Sequence, residues 1–148
     1  MKEIIEIFKY NNLTLNPCSR EDVLSLESGL GAKLPQSYIE FLEAAGRGAS
    51  KYMLGSMWTF SDLEIIQKEA IDLLDQNGFR ALPPKAFVFW MHQGYQFAFF
   101  VIGEEDNPPV YYYNETERNI DFIRTYEKLT DFFYDELINS KIDIPNRK

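Results

Sequence analysis

A proline followed by a short aromatic run confines the stretch Leu34-Pro35-Gln36-Ser37-Tyr38-Ile39-Glu40-Phe41-Leu42, continuing to Gly46 and Gly48, more tightly than any other part of this chain. Pro35 suits the first turn of a helix, where its missing N–H would be unpaired anyway and its fixed φ is already helical. Tyr38, Phe41, Leu42 and Ala45 then fall on one helical face. Gly46 and Gly48 are expected to end the helix in the left-handed conformation. An aromatic helix this short must dock on something larger. The remainder of the chain has to supply that surface.

Upstream, Ile4, Ile5 and Phe8 predict a short N-terminal helix that breaks at Asn11-Asn12, and Asn16-Pro17 marks a turn. Ser19 with Asp22 reads as the cap of a second helix carrying Val23, Leu26 and Leu30, closed by Gly29 and Gly31. Two short helices thus meet at Pro35, and their apolar faces are expected to pack together.

Downstream, Tyr52 to Phe60 reads as a first strand region with a bulge or loop near Gly55. Ser61 with Glu64 has capping-box spacing. Leu63, Ile66, Ala70 and Leu73 carry the longest helix, which stops at Asn77-Gly78. The period then changes. Phe87 to Met91, a turn at His92-Gln93-Gly94, and Tyr95 to Ile102 predict a β-hairpin. The strand at Val110 to Asn114 follows an acidic turn, and Asn119 to Thr125 gives another. Thr130 or Asp131 caps a closing helix with Phe132, Phe133 and Leu137, and a polar tail is expected from Lys141 onward. Helices first and a strand meander later argue for one α+β domain over 1–148, a mostly antiparallel sheet with helices packed on it.

Composition narrows the function. Of the 148 residues, 45% are apolar and 16% aromatic, enough for a well-filled core without a membrane-spanning run. The mixed N-terminus lacks a signal-peptide cleavage pattern, so a cytoplasmic protein is expected. The net charge of −8 disfavours direct contact with nucleic-acid backbones and favours basic partners. The aromatic strands also lack the interleaved lysine and arginine of base-stacking sheets. Cys18 is the only cysteine and His92 the only histidine. Neither has a local catalytic signature, so an enzyme built on His92 is disfavoured. Glu104, Glu105 and Asp106 lack calcium-loop spacing and read as a solvated turn, so neither metal nor cofactor is expected. In the strand 110–114, Tyr111 and Tyr113 share one face and Tyr112 takes the other. Bulk on both faces means either that helices cover both or that one face meets a partner. Trp90, Tyr95, Glu104, Glu105, Asp106 and Tyr112 are the candidate protein interface.

The order of these features resembles the SUKH superfamily, the Smi/Knr-like proteins. Gly31, Leu34, Pro35, Tyr38, Phe41, Leu42, Gly46 and Gly48 stand at the positions of its helix signature. The segments FVFWMHQGYQFAFFVIG, PPVYYYNET and LTDFFYDELI resemble its hairpin, next strand and closing helix. Ala45 stands where the family commonly has asparagine, and the turn at His92-Gln93-Gly94 is sparer than usual. The resemblance implies a non-enzymatic protein-binding module. Bacterial members are similar to immunity proteins that neutralise a cognate toxin domain, frequently a nuclease, by direct association. The yeast relatives regulate cell-wall (glucan) synthesis through protein contacts, which is the alternative role.

Overall fold

The computed structural model describes residues 1–103 and 105–145. Helix α1 (Lys2–Tyr10) leads to a two-residue strand β1 (Leu15–Asn16), then α2 (Arg20–Leu30) and α3 (Gln36–Ala45). Strand β2 (Gly48–Ala49) pairs back onto β1, β3 (Ser56–Met57) follows, and a 3₁₀ turn leads into α4 (Leu63–Gln76). Strands β4 (Ala86–His92), β5 (Gln96–Val101), β6 (Val110–Asn114) and β7 (Ile123–Tyr126) precede α5 (Leu129–Asn139). The five-stranded sheet runs β3-β4-β5-β6-β7 with every neighbouring pair antiparallel. The architecture is α+β, as the sequence order implies.

Helices lie on both faces of that sheet. On one face α3 and α5 seat their aromatic rings. Tyr38 packs against Phe87, Phe89 and Phe100, and Phe132 against Phe89 and Trp90. Between the helices Phe41 stacks on Phe133 with ring centres 4.1 Å apart. On the other face α4 buries Ile66, Ala70, Leu73 and Leu74, and Phe79 just beyond it packs on Tyr113. Tyr111 and Tyr113 do point to this side and Tyr112 to the other.

A bulge in β4 re-aims its aromatic side chains. Val88 pairs with Phe99 and Trp90 with Ala98, so Phe89 is an extra residue. One inserted residue breaks strict alternation. As a result Phe87, Phe89 and Trp90 all contact rings on the α3/α5 side. Strand β3 reaches only as far as Met91. The Gln67 carboxamide of α4 takes both backbone groups of Val88, donating to its carbonyl at 2.6 Å and accepting from its N–H at 2.9 Å. That covers a stretch of strand edge that β3 leaves unpaired.

Several expectations shift. Pro35 occupies the cap position rather than the first helical residue, and the N–H of Ser37 donates to the carbonyl of Asp106 at 3.0 Å. Gly46 is not left-handed, with φ −61°, whereas Gly48 has φ 140°. Gly31 alone caps α2 in the left-handed conformation, and Gly29 lies inside that helix. The region Tyr52 to Phe60 is mostly turn, with only Ser56–Met57 in a strand. The capping box before α4 belongs to Thr59 and Asp62, not Ser61 and Glu64, because the Asp62 carboxylate also accepts from the N–H groups of Trp58 and Thr59. Helix α5 starts at Leu129, ahead of the expected cap at Thr130 or Asp131, and the Asn107 side chain accepts from the Thr130 N–H. Residues 141–145 are not a loose tail: Ile142 is buried, and Asn11 both donates to the Asp143 carbonyl and accepts from its N–H.

Tyr38 is fully buried, and its hydroxyl finds no hydrogen-bond partner among the described residues. A desolvated, unpaired hydroxyl costs about 1–3 kcal/mol. Tyr38→Phe keeps the ring contacts and is therefore expected to raise stability by about 1 kcal/mol in urea unfolding. A loss of that size would show that the hydroxyl is satisfied.

Candidate functional site

Where α5 stops covering the sheet, a half-open groove of about 710 Å³ remains. Its floor is the end of the hairpin and the neighbouring strands, where Trp90, His92, Gln96, Tyr112 and Tyr126 line it. One wall is the turn Lys51 to Ser56, and the other is the end of α5 with the residues just after it, from Glu136 to Lys141. The bulge explains the floor. By bringing Trp90 to the α5 side it sets the indole 5.7 Å from the Tyr112 ring and parallel to His92, with ring centres 5.8 Å apart and planes 6° off. Tyr126 extends the surface, 6.2 Å from Tyr112. Phe132 packs beneath these rings and holds them from below.

The polar groups of the groove are distributed unevenly. His92 Nδ1 is 2.9 Å from the Ser56 hydroxyl across the β3–β4 pairing. Among the described residues no carboxylate hydrogen-bonds to the imidazole, so the pair lacks the orienting third group of an activated serine. Glu136 is the acidic member. Burial raises its carboxyl above the ordinary range, opposed in part by the Asn139 amide, which donates to it at 3.2 Å. Burial likewise pushes the Tyr112 hydroxyl well up, and nearby Tyr126 and Glu136 add to it. Lys51 turns away to the Lys141 carbonyl at 3.3 Å.

The raised carboxyl of Glu136 has a consequence for stability. A carboxyl raised in the folded protein favours folding while protonated, and that contribution is lost as pH rises through the folded value. Glu136→Gln removes the buried charge. The variant is expected to unfold at higher denaturant than the parent at pH 7, with the difference closing below about pH 4, where both side chains are neutral. A variant less stable at pH 7 would show that Glu136 is paired in solution.

The sequence-derived interface candidates do not form one patch. Trp90 and Tyr112 come together in the groove, although Trp90 is only 4% exposed and acts as floor. Tyr95 lies beside it, 6.0 Å from His92. Glu105 and Asp106 are exposed at the other end of β5, against the start of α3, about 20 Å away by strand rise. Glu104 lies outside the described residues. Glu136 and Tyr126 were not among the residues expected from sequence. A signal for Glu136 was present: Phe132, Glu136 and Ser140 recur every fourth residue, placing a charge in the apolar stripe of α5.

The other candidate chemistry stays apart. Cys18 is buried against Gly46, its thiol pushed up to about 11 by burial, and it does not line the groove. Among the described residues no three His, Cys, Asp or Glu side chains converge as a metal site. No described helix is long and apolar enough to cross a membrane.

The model of the SMI1 / KNR4 family (SUKH-1) matches residues 17–135. This chain belongs to the SMI1 / KNR4 family. No curated protein matches the chain. The family span takes in the helix signature from Gly31 to Gly48 and the whole sheet. It ends one residue before Glu136. In this SMI1 / KNR4 protein the groove floor therefore lies within the family region, and the α5 wall lies just beyond it.

Proposed function

We propose that this chain is a non-enzymatic protein-binding module, an immunity protein that neutralises a cognate toxin domain in the cytoplasm by direct association. The observation that carries the reading is its SMI1 / KNR4 membership over residues 17–135. The groove adds physical support. Aromatic rings contribute rigid area with little entropy to lose on binding, and the net charge of −8 steers a basic domain toward the surface. A nuclease toxin, which must itself be basic to hold nucleic acid, is the partner type this charge suits best.

The test is co-expression with the cognate toxin. Expected are rescue of growth and a complex that survives gel filtration. Neither rescue nor association at micromolar concentration would overturn the reading.

A further inference from the structure

We infer that the groove receives a single arginine side chain of the protein partner, paired with Glu136 and laid against the half-buried rings of Tyr112 and Tyr126, with Trp90 behind them. Glu136 is the starting point. It is partly buried, and among the described residues it has no cation within ion-pair distance, only the Asn139 amide. A carboxylate withdrawn from water without a counter-ion is costly unless a partner supplies one. The geometry selects the cation. Tyr112 and Tyr126 line the groove half-buried, and a guanidinium both stacks on aromatic rings and forks onto a carboxylate, which an ammonium does less well.

The rest of the groove fits one extended segment. Leu54, 73% exposed, stands on the rim as an apolar contact for residues flanking the arginine. Lys51 and Lys141 line the same groove, and Lys51 is tied to a backbone carbonyl. Their charges disfavour a second cation, so the groove takes one arginine rather than a polybasic tract. The net charge of −8 draws such a partner in.

This inference rests on the protein-binding reading, but its test needs no partner protein. The ¹⁵N-labelled chain is titrated with acetyl-Gly-Arg-Gly-amide and, separately, with the citrulline peptide, which has the same shape and no charge. The chain has two tryptophans, so the Trp58 indole N–H signal serves as internal reference for that of Trp90. The arginine peptide is expected to shift the Trp90 signal saturably with an affinity of about millimolar, as one side-chain contact allows. The citrulline peptide and the Glu136→Gln variant are each expected to bind at least about tenfold more weakly, a factor worth about 1.4 kcal/mol, with Trp58 unmoved. Equal binding of the two peptides, undiminished binding by Glu136→Gln, or no response at Trp90 would each overturn the inference. Such a failure leaves the immunity reading standing. Failure of the toxin to associate would remove that reading while leaving the titration result intact.

Discussion

Phe132→Ala is expected to cost about 4 kcal/mol and to disorder the groove floor as well as the core. The side chain is fully buried and touches rings from three directions: Phe89 at 4.9 Å, Phe133 at 5.3 Å and Trp90 at 5.7 Å, with Tyr126 and Tyr112 just beyond. Truncating a buried phenylalanine loses its transfer free energy and leaves a cavity, together about 3–5 kcal/mol. That is a large share of the stability of a domain this size. Urea unfolding measures the loss, and a red shift of tryptophan emission at zero denaturant reports release of Trp90. A cost under about 1.5 kcal/mol would mean that the rings close over the gap. Ile120→Ser, at a side chain 96% exposed, is the matched control and should stay within about 0.5 kcal/mol.

The second large effect is expected at Gly46. Its φ of −61° suits any residue, so conformational freedom does not explain the glycine. Space does. A Cβ there would stand 2.5 Å from Cys18 Sγ, 2.7 Å from the Leu42 carbonyl oxygen and 2.9 Å from Leu42 Cα. The Leu42 carbonyl already accepts from both Cys18 and Gly46 N–H groups, at 2.8 and 2.9 Å, where the chain before α2 crosses the end of α3. Gly46→Ala must push these segments apart, at a cost of about 3 kcal/mol. Adding Cys18→Ala should not restore stability, because two of the three contacts are with Leu42 backbone. Gly29→Ala makes the contrast. Gly29 lies inside α2 with nothing within 4 Å of a new Cβ, so alanine should stabilise by about 0.5–1 kcal/mol. Equal effects at the two glycines in denaturant unfolding would contradict the steric account.

These two sites mark what the residues disclose in advance and what they do not. Periodicity is local, so Leu63, Ile66, Ala70 and Leu73 spell α4, and the alternation of Tyr111, Tyr112 and Tyr113 gives the correct faces. The antiparallel meander follows from short turns between aromatic runs. Gly46 reads locally as a helix stop, but part of its reason is a crossing with Cys18, 28 positions earlier, a contact no local pattern encodes. The pairing of β1 with β2 is equally invisible, since two residues carry no period. So is the tie between Asp143 and Asn11 at the far end of the chain, next to the buried Ile142.

The candidate site divides the same way. Its aromatic floor was legible as excess bulk in the strands. The bulge at Phe89 that turns Trp90 toward α5 was not, because an inserted residue leaves no mark in an all-apolar run. The acidic turn looked like part of the same surface only because it follows the hairpin in sequence. A six-residue strand separates the two in space.

The most direct test of the proposed binding role is a stoichiometric neutralisation. The cognate toxin is held at fixed concentration, well above any dissociation constant, and its activity is measured as purified chain is added. Activity is expected to fall linearly and to vanish at a fixed whole-number ratio, one chain per toxin in the simplest complex. Inactivation by a small fraction of an equivalent, progressing with time, would mean that the chain turns over and would contradict that role.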